Sequence, residues 1–101
     1  MKRCRVRVTA TARDQVAAVK GWHLENGLDA APLAAELHEA FLFLSLIPGA
    51  GSPYPYAEFP GLRRLFLRGI SCHLYYTFTD GEVIVRALWH TSRGHGPDLK
   101  R

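Results

Sequence analysis

At 101 residues, with 48% hydrophobic and 22% charged side chains, the chain has the size and composition of one globular domain, which excludes a two-domain or disordered protein. Two cysteines, Cys4 and Cys72, with no Cys-x-x-Cys pair exclude a disulfide framework and give no zinc-site spacing. The formal net charge of +4 favours acidic partners, either nucleic acid or an acidic protein. The longest apolar stretch, Ala40 to Ile47, stops at Pro48-Gly49, far short of the about 20 residues a membrane helix needs. Met1-Lys2-Arg3 runs directly into alternating residues with no apolar signal region, so a cytoplasmic protein with reduced thiols is expected.

Cys4-Arg5-Val6-Arg7-Val8 alternates apolar and basic residues and predicts a half-buried strand, with Arg3, Arg5 and Arg7 in water. Thr9 or Thr11 then caps a helix whose Ala12, Val16, Val19 and His23 recur at helical spacing, with Trp22 beside that stripe. Asn26-Gly27 ends it, glycine supplying the left-handed residue of a helix terminus. Asp29 caps the second helix, in which Pro32 is tolerated only because it lies in the first turn. Leu33, Leu37, Ala40, Phe41, Leu44 and Ile47 form its apolar stripe. So short a link between the two predicts an antiparallel helical hairpin. Gly51 to Gly61 reads as a loop by its prolines and glycines.

Three strands come next, Leu62 to Arg68, Cys72 to Phe78 and Val83 to His90. Asp80-Gly81 predicts a two-residue hairpin turn with positive φ angles, and that turn sets a register. Phe78 then faces Val83, Tyr76 faces Val85, Leu74 faces Ala87 and Cys72 faces Trp89, all on the core face with Leu65 and Leu67. The other face carries Thr77, Ile84, Tyr75, Arg86, His73, Leu88, Ser71 and His90, beside Arg64, Phe66 and Arg68. The result is an α+β domain over 1–101, of order β-α-α-β-β-β. Its helical hairpin packs on one face of a mainly antiparallel sheet, and residues 92–101 form a mobile basic tail.

The outer sheet face is the most informative feature. Arg64, Arg68, His73, Tyr75, Arg86 and His90, with Arg93 just beyond the last strand, interleave cations with rings. Such a surface grips phosphates, stacks on bases, or meets an acidic protein. Without such a partner it is a solvated face. No metal site is expected, because His90 and His95 lack a completing carboxylate. His23 is expected partly buried and His38 solvated, while His73 and His90 are the candidates for acid–base work. No nucleophile elbow, Walker loop or dinucleotide fingerprint appears, and no cofactor is expected.

Pro60-Gly61-Leu62-Arg63-Arg64-Leu65, His73-Leu74-Tyr75-Tyr76, Asp80-Gly81-Glu82-Val83-Ile84-Val85 and Leu88-Trp89-His90-Thr91-Ser92-Arg93, in this order after a helix ending in Ile47-Pro48-Gly49, resemble the RelE/ParE superfamily. These are the toxins of bacterial type II toxin–antitoxin pairs. The RelE branch comprises ribosome-dependent messenger-RNA endonucleases. For that activity the resemblance supplies Arg64, His73 and Arg93 as catalytic candidates. Phe66 stands where a basic residue is expected, His73 where an arginine is, and Leu99 near a tyrosine position. The Gly-x-Arg-Arg pattern, the histidine leading to tyrosine and the late Leu-x-His segment are more similar to the ParE branch. That resemblance implies a non-enzymatic inhibitor of DNA gyrase neutralised by a cognate antitoxin, with ribosome-bound messenger RNA as the alternative target. A domain of the same fold that only binds antitoxin is the third reading. Trp22, Leu24, Leu28, Phe43 and Leu46 lie off the core stripes and are the expected antitoxin-binding residues, or else mediate self-association.

Overall fold

Thr9 closes one element and opens the next. Its amide donates to the Val85 carbonyl at 3.0 Å, and its hydroxyl accepts from the Ala12 amide at 3.1 Å. A strand therefore turns into a helix with the first-turn amide satisfied. The computed structural model describes residues 3–92, so Arg93 and the rest of the predicted tail lie outside the described residues. Strand β1 (Arg5–Val8) leads into α1 (Ala10–Glu25) and α2 (Ala31–Leu46). Then come β2 (Ser52–Pro53), β3 (Arg63–Leu67), a 3-10 turn (Arg68–Ile70), β4 (Cys72–Phe78) and β5 (Glu82–His90).

The expected caps form, one of them displaced. Gly27 has φ +71°, and Leu28 and Gly27 donate to the His23 and Leu24 carbonyls, closing α1 with a Schellman pair. The Asp29 carboxylate accepts from the Ala31 amide at 3.0 Å, but Ala30 rather than Asp29 is the capping residue of α2. Ile47, expected inside, is exposed at the helix end. Ser45 is buried instead, its hydroxyl donating to the Leu42 carbonyl.

Among the described residues the sheet has five strands in the order β1-β5-β4-β3-β2. β1 runs parallel to β5 and the other pairings are antiparallel. Both helices pack on one face of it. Leu33, Leu37, Ala40 and Leu44 of α2 and Ala12 and Val19 of α1 share one core with Leu67, Leu74, Tyr76, Val83, Val85 and Leu88. Cys72 is in that core, where burial pushes its thiol up to about 11 and keeps it inert.

The structure corrects two further expectations, both in the β4–β5 hairpin. First, the β4–β5 turn keeps its predicted pairing, with Thr79 donating to Glu82 at 2.9 Å. Positive φ among the described residues is confined to Gly27, Gly61 and Ser71, so Asp80 and Gly81 do not form the mirror-image turn. Second, the register holds only as far as Tyr76↔Val85. A bulge lies between Tyr75 and Tyr76, and beyond it Tyr75 pairs with Ala87, Leu74 with Leu88, His73 with Trp89 and Cys72 with His90. One extra residue, Arg86, reverses the facing of the rest of β5. Leu88 enters the core under the helices, while Ala87 and Trp89 join Leu62 and Tyr75 in a second cluster.

The Leu88 amide, which lies past the end of β1, donates instead to the Gln15 side chain of α1 at 2.9 Å. The loop before β3 is tied down by Tyr76, which is fully buried and accepts at its hydroxyl from the Gly51 amide at 2.8 Å. Arg63 Nε donates to the Gly51 carbonyl at 2.8 Å. A Cβ on residue 51 would sit 2.8 Å from the Tyr76 hydroxyl and 2.9 Å from the Arg64 carbonyl. Tyr76→Phe leaves the Gly51 amide unpaired and is expected to cost about 1–3 kcal/mol. Gly51→Ala, which forces that loop outward, is expected to cost about 1–3 kcal/mol as well. Equilibrium denaturant unfolding of the two variants measures both.

Candidate functional site

The outer face of the sheet is built on β3, β4 and β5, with the loop after β2 folded over one end. Arg64 and Phe66 come from β3, His73, Tyr75 and Thr77 from β4, and Arg86, Ala87 and Trp89 from β5. Tyr54, Tyr56 and Phe59 of the loop pack on this cluster. The face therefore divides into a covered half and an open half.

Tyr75 belongs to the covered half. It is 3% exposed, with the Tyr54 ring edge-on at 5.0 Å, so it is a packing residue here and not an accessible contact. Arg86 is half-buried beside it. Its Nε donates to the Thr77 hydroxyl at 3.0 Å, and its guanidinium lies 4.4 Å from the Phe59 ring centroid. Burial and then the neighbouring Arg7 push the Arg86 pKa down from its usual value. Arg64 lies over Tyr54, 5.1 Å from its centroid. Two of the predicted arginines are thus held in place by aromatic rings.

The open half centres on Phe66, which is 50% exposed, with the His73 ring 5.2 Å from its own. Burial and then the Arg64 charge push the His73 pKa below its usual value, so the imidazole is neutral at neutral pH. Arg64 and His73 are the two nuclease candidates that the structure brings together; Arg93 lies outside the described residues. Arg68 is exposed but sits on the 3-10 turn rather than on β3, where the sequence places it.

His90 does not reach this face. The bulge turns it toward α1, where its ring lies 5.8 Å from that of Trp22 and its Nδ1 is 2.7 Å from the Ser92 hydroxyl. Sequence reasoning misses Trp89, which takes the position opposite His73 that an unbulged strand would give Leu88, and Arg7. The alternation of β1 already puts Arg7 outward, but only the parallel pairing of Arg7 with Ile84 places it beside Arg86.

Trp22, Leu24, Leu28, Phe43 and Leu46 are all exposed. They do not line one groove. Trp22 borders a recess with Ala18, Val19, His90 and Ser92, whereas Phe43 borders another with Glu39, Leu65 and Phe66. Among the described residues no three His, Cys, Asp or Glu side chains gather as a metal site, and no helix is long and apolar enough to cross a membrane.

A family model described as the ParE toxin of the type II toxin–antitoxin system parDE matches residues 6–94. No curated protein matches the chain significantly. A solved structure described as the chromosomal ParDE toxin–antitoxin system from P. aeruginosa superposes with a TM-score of 0.66 at 17% identity. The match covers 86% of this chain and 95% of that one, a likeness of fold.

The depressed His73 pKa has two separable causes. In an NMR titration His73 is expected to have a midpoint below 6.5, and Arg64→Ala to raise it only part of the way, because burial is the larger cause. The folded pKa lies below the unfolded one, so the unfolded chain takes up this proton first. The His73 contribution to stability is therefore intact above about pH 6.5 and lost as the pH falls from there through the folded value. His73→Gln is expected to flatten that part of the stability profile.

Proposed function

The chain belongs to the ParE toxin family, and from that premise we propose that it arrests growth by binding DNA gyrase and is neutralised by a cognate antitoxin. The family match over residues 6–94 carries this reading, and the make-up of the outer face supports it. Cleaving a phosphodiester requires groups that move protons at two oxygens and free cations that clamp the phosphate. On this face Tyr75 is covered, Arg86 is engaged with Thr77 and Phe59, and Phe66 stands where a further cation would serve a nuclease. An exposed aromatic flanked by arginines suits docking onto a large acidic target, since such residues dominate protein interfaces.

A second reading keeps the same face as a messenger-RNA endonuclease site. The observation that favours it is a neutral His73 beside Arg64, a base next to a cation. The antitoxin proposal draws on the exposed Trp22, Leu24, Leu28, Phe43 and Leu46, apolar surface that a folding-on-binding segment covers.

The purified chain is expected to block gyrase supercoiling at stoichiometric ratios, and its expression without antitoxin to cause filamentation. Full supercoiling at excess toxin overturns the gyrase reading; translation arrest with cut messenger RNA, abolished by His73→Gln, replaces it with the nuclease.

Phe66→Ala and Arg68→Ala, at exposed positions, are expected to change stability by less than about 0.5 kcal/mol while lowering gyrase inhibition at least tenfold. Arg86→Ala is a poorer probe of contact, because losing the Thr77 bond and the Phe59 stacking loosens the fold as well.

A further inference from the structure

Two arginines meet on the outer face where β1 runs beside β5. The parallel pairing sets Arg7 opposite Ile84, and Arg86 follows two residues further along β5. Val6 and Val8 pack toward the core, so alternation turns the Arg7 side chain outward. Arg86 points the same way, because it reaches Thr77 and Phe59 on that face. It is therefore a diagonal neighbour of Arg7, a separation that long side chains span.

Each guanidinium is held from one side. Arg86 Nε donates to the Thr77 hydroxyl at 3.0 Å, and the Phe59 ring centroid lies 4.4 Å from the same ion. Arg7 Nε lies 3.5 Å from the Glu82 carboxylate, an exposed contact that water screens. Both contacts are made at Nε, and each fork carries further donors on its terminal nitrogens. Thr77 and the ring deny Arg86 the mobility of a clamp that follows a reacting group. They also fix its direction, which suits static binding.

Charge gives the class of ligand. Burial and then the Arg7 charge both work against the cationic form of Arg86. One exposed carboxylate does not balance two guanidinium ions. An anion seated between the forks offsets the burial and the repulsion alike. A carboxylate has only two oxygens to share between two forks, whereas a phosphomonoester has three acceptor oxygens and a charge of about −2.

We propose that Arg7 and Arg86 form a binding site for a phosphate group, whose oxygens bridge the two guanidinium forks beside Phe59. The phosphate comes from a small phosphorylated molecule or from a nucleic-acid backbone. The gyrase reading bears only on that source, which under it is DNA; the site itself does not rest on it. Neither arginine is among the nuclease candidates Arg64, His73 and Arg93, so this is a different place on the sheet.

The test follows the arginine Nε–Hε signals of the isotope-labelled full chain by NMR. Its probes are inorganic phosphate, adenosine 5′-monophosphate and a hexathymidylate without terminal phosphates, with acetate at equal ionic strength as control. The Arg7 and Arg86 signals are expected to shift together and saturably with phosphate, at least tenfold more tightly than with acetate. Arg7→Gln is expected to weaken phosphate binding at least tenfold, and Arg86→Lys, which keeps the charge but not the fork, at least threefold. Arg5→Gln removes the same charge from the same strand and is expected to change binding less than twofold. If Arg86→Lys does not fold, Arg7→Gln against Arg5→Gln carries the comparison, both positions being exposed. Tighter binding of adenosine monophosphate supports the site and names a small ligand; tighter binding of hexathymidylate supports it and names a backbone. No saturable shift with any probe, equal binding of acetate, or equal losses in Arg5→Gln and Arg7→Gln would overturn the proposal. Gyrase is absent from this experiment, so the phosphate site and the gyrase reading stand or fall separately.

Discussion

Arg86 is an extra residue in β5, unmatched across the ladder, and both faces of the sheet depend on it. Without the bulge, Leu88 would point away from the helices and Trp89 would point into them. With it, Leu88 is buried against the helices, and the indole of Trp89 joins the cluster around Tyr75 on the outer face. The bulge also sets Arg86 beside Ala87 rather than opposite a β4 residue, which lets its guanidinium reach both Thr77 and the Phe59 ring. A bulge re-aims side chains at the cost of a broken ladder, and here α1 repairs part of the break by offering Gln15 to the Leu88 amide.

The outer face is shaped by what the loop after β2 covers. Two residues of β2 suffice to anchor that loop on β3, and the bonds from Tyr76 and Arg63 to Gly51 hold its start. Its three aromatic residues then divide the sheet surface. Beneath them Tyr75 is sealed, Arg64 and Arg86 are steadied against rings, and Phe66 is left in water with His73. Ring contacts of this kind fix the direction of a flexible cation, so less conformational freedom is lost when it meets a partner. Burial and the Arg64 charge together lower the proton affinity of His73, which is why it is neutral in so basic a setting.

The two ends of the sheet are defended unequally. On one side β2 is too short to template much pairing. On the other, β1 presents an open edge guarded against copies of itself by Arg5 and Arg7. Like charges at alternate positions repel a second copy that would pair at this edge.

Local chemistry makes much of this chain legible. Alternation in Cys4 to Val8, the helical stripes through Ala12 and Leu33, the Asn26-Gly27 stop and the pairing of Phe78 with Val83 stem from period, cap and turn preferences within a few residues. The α+β order and the ParE resemblance arise from those elements in sequence. The bulge cannot be read this way. A register counted out from a turn carries forward unchanged until a residue goes unpaired, and nothing local to Arg86 marks it. Its place depends on Leu88 being drawn into the core by helices far earlier in the chain. For the same reason local pattern puts His90 on the wrong face, leaves Tyr75 accessible, and does not show Arg7 as a neighbour of Arg86. The sequence by itself determined both helices, the four longer strands and the order in which they come, but not the two-residue β2. The tertiary structure decided which side chains share a surface, because facing is set by long-range pairing and burial rather than by neighbours along the chain.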